Sequence, residues 1–270
     1  MTAPHAPDPF LAMVLGFVQG VTEFLPVSSS GHVAISGVLF GASSTPLSFI
    51  VALHAGTLIG TVLALRSHLT QIAVDTWRGL RDDPRAFLRT ESGQEVWAVT
   101  VATIPTGCLG LLLADRIELL SRDLTIVGLC LLGSAVLVLS TRLGGGESNT
   151  LNARSALLVG LAQSAALLPG ISRSGSTIAA AMRCGVNGPS AFRFSFLLSL
   201  PTIAGAVLLE LGSAEGLARM GRAELLGGIT AMAVGYGSYR LLGRLVERGR
   251  FWAFAIYLVP VGFWTAFFAV

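Results

Sequence analysis

Six apolar runs, each close to the roughly 20 residues a helix needs to cross a bilayer, constrain this chain more than any other feature. They are Pro46–Leu65, Val96–Ala114, Leu124–Ser140, Ala191–Leu211, Ala223–Leu242 and Phe251–Val270. Inside hydrocarbon every backbone N–H and C=O must find its partner within the protein, so runs of this length are expected as helices. The composition agrees. Of the 270 residues 53% are hydrophobic and only 12% charged, about half the charge of an ordinary soluble domain. A disordered chain is excluded, because such chains are charge-rich and apolar-poor. A nucleic-acid binder is excluded as well: the net charge is +3, and the arginines form no stripe interleaved with aromatics. Cys108, Cys130 and Cys184 have no CxxC spacing and read as small hydrophobes. Met1 to Pro9 carry no basic segment, so no cleavable signal peptide is expected.

Two further apolar regions, Phe10–Phe40 and Ser155–Arg183, are broken in the middle by Pro, Ser and Gly. Each reads as a helix, a polar loop and a second short helix, which is a re-entrant hairpin. Irregular backbone at membrane depth survives only where protein buries it or water reaches it, so both breaks are expected to line a cavity. The two regions resemble each other. Gly16-Phe-Val-Gln19 recurs as Gly160-Leu-Ala-Gln163, and Ser30-Gly31 as Ser174-Gly175. Phe49, Leu53, Thr57 and Gly60 then align with Phe194, Leu198, Thr202 and Gly205. Two halves, residues 1–150 and 151–270, are therefore expected within one integrated membrane domain. Placing the Arg66–Arg89 loop in the cytoplasm puts thirteen arginines inside against four outside (Arg116, Arg122, Arg219 and Arg222), as the positive-inside rule requires. The hairpins then enter from opposite faces and the repeat is inverted, a design that places sites near the midplane. The expected fold is an all-α polytopic membrane protein with an inverted-topology repeat, about six transmembrane helices and two re-entrant hairpins.

Ionisable groups inside apolar segments are costly and mark function by default. Here they are Glu23, His32, His54 and Arg173. Gln19 and Glu23 lie four residues apart, on one helix face. Pro26 ends that helix, Ser28, Ser29, Ser30 and Gly31 form a loop, and the next helix is expected to start near His32. The second break runs through Pro169, Gly170, Ser172, Arg173, Ser174, Gly175 and Thr177. Two helix N-termini behind Ser/Gly loops offer free N–H groups and partial positive charge to a phosphate. Arg173 adds a planar multi-donor cation. Phosphate binding alone needs no carboxylate, so Glu23 implies either a divalent metal bridging phosphate oxygens or proton handling. His32 and Ser29 supply a nucleophile, a base or a leaving-group acid. In the plainest reading, Ser28 and Ser30 only cap a helix and His54 only hydrogen-bonds within its own.

These residues, Gln19-x-x-x-Glu23-Phe-Leu-Pro-Val-Ser-Ser-Ser-Gly-His32 and Pro169-Gly-x-Ser-Arg-Ser-x-x-Thr177, resemble the bacterial undecaprenyl-diphosphatase (bacitracin-resistance) family over nearly the whole chain. The resemblance implies an integral multi-pass protein of the bacterial inner membrane that removes the terminal phosphate of undecaprenyl diphosphate. That recycles the carrier lipid for peptidoglycan synthesis and confers bacitracin resistance. It implies inverted repeats, a site toward the outer face and a divalent cation, magnesium or calcium. By position, Glu23 matches the metal-associated carboxylate and Arg173 the diphosphate-binding arginine. Ser29 and His32 match the positions argued over as nucleophile or base. Ser172, Ser174 and Thr177 match phosphate-loop hydroxyls, and Ser28, Ser30, Gly31, Gly170 and Gly175 complete the expected substrate site. Gln19 stands where many members have glutamate: its amide oxygen can ligate a metal but cannot act as a base.

The expected partners are a polyprenyl diphosphate lipid and the bilayer, with a homodimer as an option and no nucleic acid. A rival reading is a flippase for a polyprenyl phosphate, which needs the same anion site but no nucleophile.

Overall fold

Both interrupted regions are breaks between helices, and the local chemistry explains where each break falls. The computed structural model describes residues 7–39, 46–211 and 221–269; Phe40 and Val270, at the ends of expected segments, and Arg219, one of the four arginines expected outside, lie beyond them. α1 (Pro9–Phe24) starts at Asp8, whose carboxylate accepts from the N–H groups of Phe10 and Leu11, with Pro9 in the first turn. It stops before Pro26, since the residue ahead of a proline avoids helical geometry. α2 spans Ser29–Leu39 and begins three residues earlier than expected. Ser28 takes a left-handed backbone (φ 69°) and turns the chain at once, which leaves Ser29 and Ser30 inside the first helical turn. In the second hairpin α7 (Ala153–Ala165) and α8 (Arg173–Arg183) flank a tip where Gly170 has φ 100°. Ser172 caps α8 by accepting from the Gly175 N–H at 3.1 Å.

The remaining helices are α3 (Leu47–Asp82), α4 (Pro84–Phe87), α5 (Glu91–Ser121), α6 (Leu124–Ser140), α9 (Gly188–Leu211), α10 (Arg222–Glu247) and α11 (Ala255–Phe267). One-turn 3-10 segments at Thr141–Leu143 and Phe251–Phe254 adjoin α6 and α11. Among the described residues the secondary structure is helical apart from an isolated bridge between Ser148 and Val186. Four helices are long and apolar enough to cross a membrane alone: α3, α5, α6 and α9. α10 and α11 meet that test only as a pair, bent by 120°. The Arg66–Arg89 segment is no loop over most of its length. α3 runs on to Asp82, since the first strong helix stop is Asp83-Pro84. At 1.5 Å per residue its 36 residues reach about 54 Å, well beyond a hydrocarbon core of about 30 Å, so its arginine-bearing end projects from the apolar layer.

Packing follows small residues. α1 and α3 lie on α10, while α7 and α9 lie on α5. A Cβ on Gly16 would overlap the carbonyl oxygen of Gly227, and one on Gly160 that of Ala102. The recurring glycine thus sits at a close helix crossing each time, α1 on α10 and α7 on α5. α6 lies against α11, and Val127, Leu131, Val138, Phe196 and Leu258 are fully buried between the elements. Leu111, Leu112, Val136, Leu208 and Ile256 are exposed on the outside, where hydrocarbon rather than water suits them. At the arginine-rich end, Arg142 stacks on Trp252 at 5.2 Å. His68, Glu95, Asn149, Val186 and Arg193 line a polar cavity of about 220 Å³ there. Residues of α3, α5, α9 and the segment between α6 and α7 therefore meet around one cavity.

Candidate functional site

The tips of the two hairpins touch. A Cβ on Gly31 would sit 3.2 Å from the Gly170 Cα, so only the smallest side chain lets the two polar breaks approach. Across this contact, from opposite halves of the chain, Arg173 Nη2 donates to Glu23 Oε1 at 3.1 Å. The other carboxylate oxygen, Oε2, accepts from Ser29 Oγ at 2.8 Å and from Gln19 Nε2 at 3.3 Å. Gln19, Glu23, Ser29 and Arg173 are thus one cluster, assembled from α1, the first turn of α2 and the first residue of α8. The charged side chains are only 11% and 16% exposed, so each charge depends on its partner for solvation.

Arg173 has more to offer than this pair uses. Its guanidinium lies over the Phe196 ring at 5.5 Å, and its Nη1 is buried with no hydrogen-bond partner among the described residues. Buried donors are nearly always satisfied, so an orphan of this kind calls for a ligand or an ordered water. A guanidinium held by one edge with donors free on another suits a phosphate oxygen.

The other expected residues divide by their contacts. Ser28 and Ser30 hydroxyls lie 3.3 Å apart, and the Gly31 N–H donates to Ser28 Oγ. They shape and cap the turn. Ser172 and Ser174 hydroxyls are 3.4 Å apart at the start of α8. Thr177 Oγ1 lies 2.8 Å from the Arg173 carbonyl and 2.6 Å from Ser195 Oγ, which anchors the first turn of α8 to α9. His32 makes its contacts elsewhere: its Nδ1 meets the Ser28 carbonyl at 2.8 Å and its Nε2 the Tyr257 hydroxyl at 2.6 Å. His54 Nδ1 meets the Ile50 carbonyl at 3.1 Å within α3, as its plain reading expected, yet its ring stands within electrostatic reach of Glu23.

Some contributors had no strong signal in the sequence. Ser134 of α6 donates to the Gly170 carbonyl at 2.9 Å and accepts the Ser172 N–H at 2.8 Å, clamping the second tip. Its only trace is a hydroxyl inside an apolar span. Tyr257 is likewise one polar atom in an apolar run. Gln163, the repeat partner of Gln19, is buried and donates to Thr106 and Thr202, each at 3.1 Å; it lies on the α5–α9 side rather than with Glu23.

For a divalent cation the protein donors are few. Among the described residues no group of three or more His, Cys, Asp or Glu could hold a metal. One carboxylate and one amide oxygen fit a hard cation that keeps its waters and binds mainly through substrate phosphates. With its NH₂ spent on Glu23, Gln19 has its amide oxygen left as the ligand atom.

A bundle of membrane-length helices enclosing two polar hairpins, with a buried arginine–carboxylate pair at their junction, defines an integral membrane protein. The family described as bacitracin resistance protein BacA matches residues 12–264, and the chain belongs to that family. It is 40% identical over 264 residues to a protein named undecaprenyl-diphosphatase in Desulfosudis oleivorans, covering 94% of this chain and 96% of the relative. It is 38% identical to one in Korarchaeum cryptofilum (93% and 95% covered). A third, from Methanosphaera stadtmanae, is 37% identical (97% and 99% covered).

Proposed function

We propose that the chain is an integral-membrane phosphatase that hydrolyses undecaprenyl diphosphate to the monophosphate and inorganic phosphate. The reading places it in the bacterial inner membrane, with the site open to the outer face, where it recycles the carrier lipid and confers bacitracin resistance. One observation carries the site: the Glu23–Arg173 pair at the junction of the hairpins, with Arg173 Nη1 buried and unpartnered. The names of the relatives supply the substrate.

In this reading Arg173 grips the diphosphate, and the N-termini of α2 and α8 face charge that develops on the phosphoryl oxygens. Ser29 Oγ, already donating to Glu23, has the nucleophile–base arrangement. It attacks the terminal phosphorus while its proton passes to Glu23. The bond to the bridging oxygen breaks, and the prenyl monophosphate leaves with that oxygen. Water then attacks the phosphoserine and its protons leave on the inorganic phosphate, while Ser29 departs as it recovers its own proton from Glu23. Gln19, with the lone pairs of Glu23 that Ser29 does not use, would hold a magnesium or calcium ion borne by the diphosphate. The ion would neutralise phosphate charge. A carrier of the monophosphate would need the anion grip but not the Ser29–Glu23 contact.

The inverted repeat of residues 1–150 and 151–270 belongs to the same proposal, with α10 and α11 as the fifth and sixth spans. Its support is the reciprocal packing of α1 and α3 on α10 and of α7 and α9 on α5. The deciding experiment is phosphate release from undecaprenyl diphosphate by the purified protein in detergent, with and without chelator. Release that needs a divalent cation and is lost in Glu23→Ala and Arg173→Ala is the expected result. Folded protein that releases no phosphate would overturn the reading.

A further inference from the structure

Phe192 and Phe196 lie four residues apart on α9 and so share a face, with ring centroids 5.0 Å apart. Tyr239 of α10 meets both rings, at 4.7 Å and 5.0 Å. Phe24 of α1 stacks on Phe196 at 5.5 Å, the planes 19° from parallel, and both of these side chains are fully buried. Gly235 of α10 leaves the notch that Phe24 enters, since a Cβ there would overlap its ring. Three helices thus hold the Phe196 ring. Phe24 directly follows Glu23, so the stack also ties the helix of the carboxylate to that ring.

The bond between Arg173 and Glu23 fixes a point of the guanidinium but not its plane. Nη2 donates to Oε1 at 3.1 Å, while Oε2 is occupied by Ser29 and Gln19. The pair is therefore joined by one bond, where a bidentate fork of two parallel bonds would have set the plane. A second constraint comes from Phe196, whose ring centroid lies 5.5 Å from the guanidinium carbon. Such a contact attracts the cation most strongly where water is excluded. It also uses none of the N–H donors, which lie in the guanidinium plane, whereas a polar partner would consume one.

We propose that Phe196 is a positioning residue for the diphosphate grip: its ring face sets the plane of the Arg173 guanidinium, so that Nη2 stays on Glu23 and the buried, unpartnered Nη1 is left to donate to a phosphate oxygen. The inference rests on the reading of Arg173 as the group that grips the diphosphate, and its test separates the two.

The test measures binding of farnesyl methylenediphosphonate, a prenyl diphosphate analogue that resists hydrolysis, to full-length protein in detergent by calorimetry. Phe196 is replaced by phenylalanines carrying one, two or three ring fluorines, which withdraw electron density from the face and change the size of the ring little. The same replacements at Phe192, which shares the cluster but is not the ring beneath Arg173, control for packing, and thermal denaturation checks folding. Kd is expected to rise stepwise with fluorination at position 196, reaching about tenfold with three fluorines. The kcat for undecaprenyl diphosphate stays within about twofold, because the binding lost is common to ground and transition states. Fluorination at position 192 leaves Kd unchanged. A Kd that ignores fluorination at position 196, or follows it equally at position 192, would overturn the role of Phe196. Absence of binding by the unmodified protein, or equally tight binding by Arg173→Ala, would instead overturn the reading of Arg173 as the grip, and the inference with it.

Discussion

At the scale of single residues, the site depends on complementary atoms rather than on charge alone. Lysine at position 173 would keep the cation but lose the fork that reaches Glu23 while leaving Nη1 free. Arg173→Lys is therefore expected to lower kcat/KM by about 10–100-fold, the worth of a charge-assisted bond, in a phosphate-release assay. Arg173→Ala also leaves Glu23 buried and unpaired, a loss of about 3–5 kcal/mol that thermal unfolding in detergent reads directly. Ser29→Ala keeps the Glu23–Arg173 pair and removes the hydroxyl proposed as the nucleophile. Its kcat is expected to fall by on the order of 1,000-fold or more, and acid-quenched protein that carries labelled phosphate on Ser29 only when Ser29 is present checks the covalent step. Glu23, Arg173, Ser29 and Gln19 were legible in the sequence because each is a polar side chain in an apolar setting, where chance rarely leaves one. Ser134 and Tyr257 are polar in the same sense, but one hydroxyl in an apolar helix has too many structural uses to point to a site.

Among the elements, the two hairpin tips carry the constraint. Ser28 holds a left-handed φ of 69° while its hydroxyl caps the Gly31 N–H. Ser28→Ala loses the cap and keeps the strain, so a destabilisation of about 1 kcal/mol is expected. Ser28→Gly loses the same cap but relieves a cost of similar size, so its unfolding midpoint should stay near that of the parent. The two variants separate strain from capping in one pair of melts. At the crossing of α7 with α5, Gly160→Val drives a side chain into the Ala102 carbonyl. A loss of about 1–3 kcal/mol in the same melts is expected, with a matching loss for Gly16→Val at the α1–α10 crossing. The sequence marked the breaks within a few residues through Pro26, Pro169 and their serines. It missed the start of α2 and the long run of α3 because a single backbone angle and the absence of an early stop leave no side-chain pattern.

For the whole molecule, the arginine distribution makes a prediction about sidedness. A cysteine placed at Arg85 should react with a membrane-impermeant thiol reagent only from the cytoplasmic side of inverted vesicles, and one placed at Arg222 only from the other side, both on a background without Cys108, Cys130 and Cys184. Labelling at both positions from one side would contradict the inverted arrangement. The clustering of His68, Glu95, Asn149 and Arg193 around one polar cavity gives that face a structural identity independent of the charge count. By itself the sequence determined that the chain is helical and membrane-embedded, that it breaks twice, and that the breaks gather its ionisable and hydroxyl side chains. Hydropathy, prolines and buried charges act locally, and local terms are written along the chain. The tertiary structure decided that the breaks meet tip to tip, that Arg173 reaches Glu23 from 150 residues away, and that Tyr257 closes on His32. Those contacts arise where helices cross, and crossings are set by which small residues face each other across the bundle, a property of pairs that no single stretch of sequence contains.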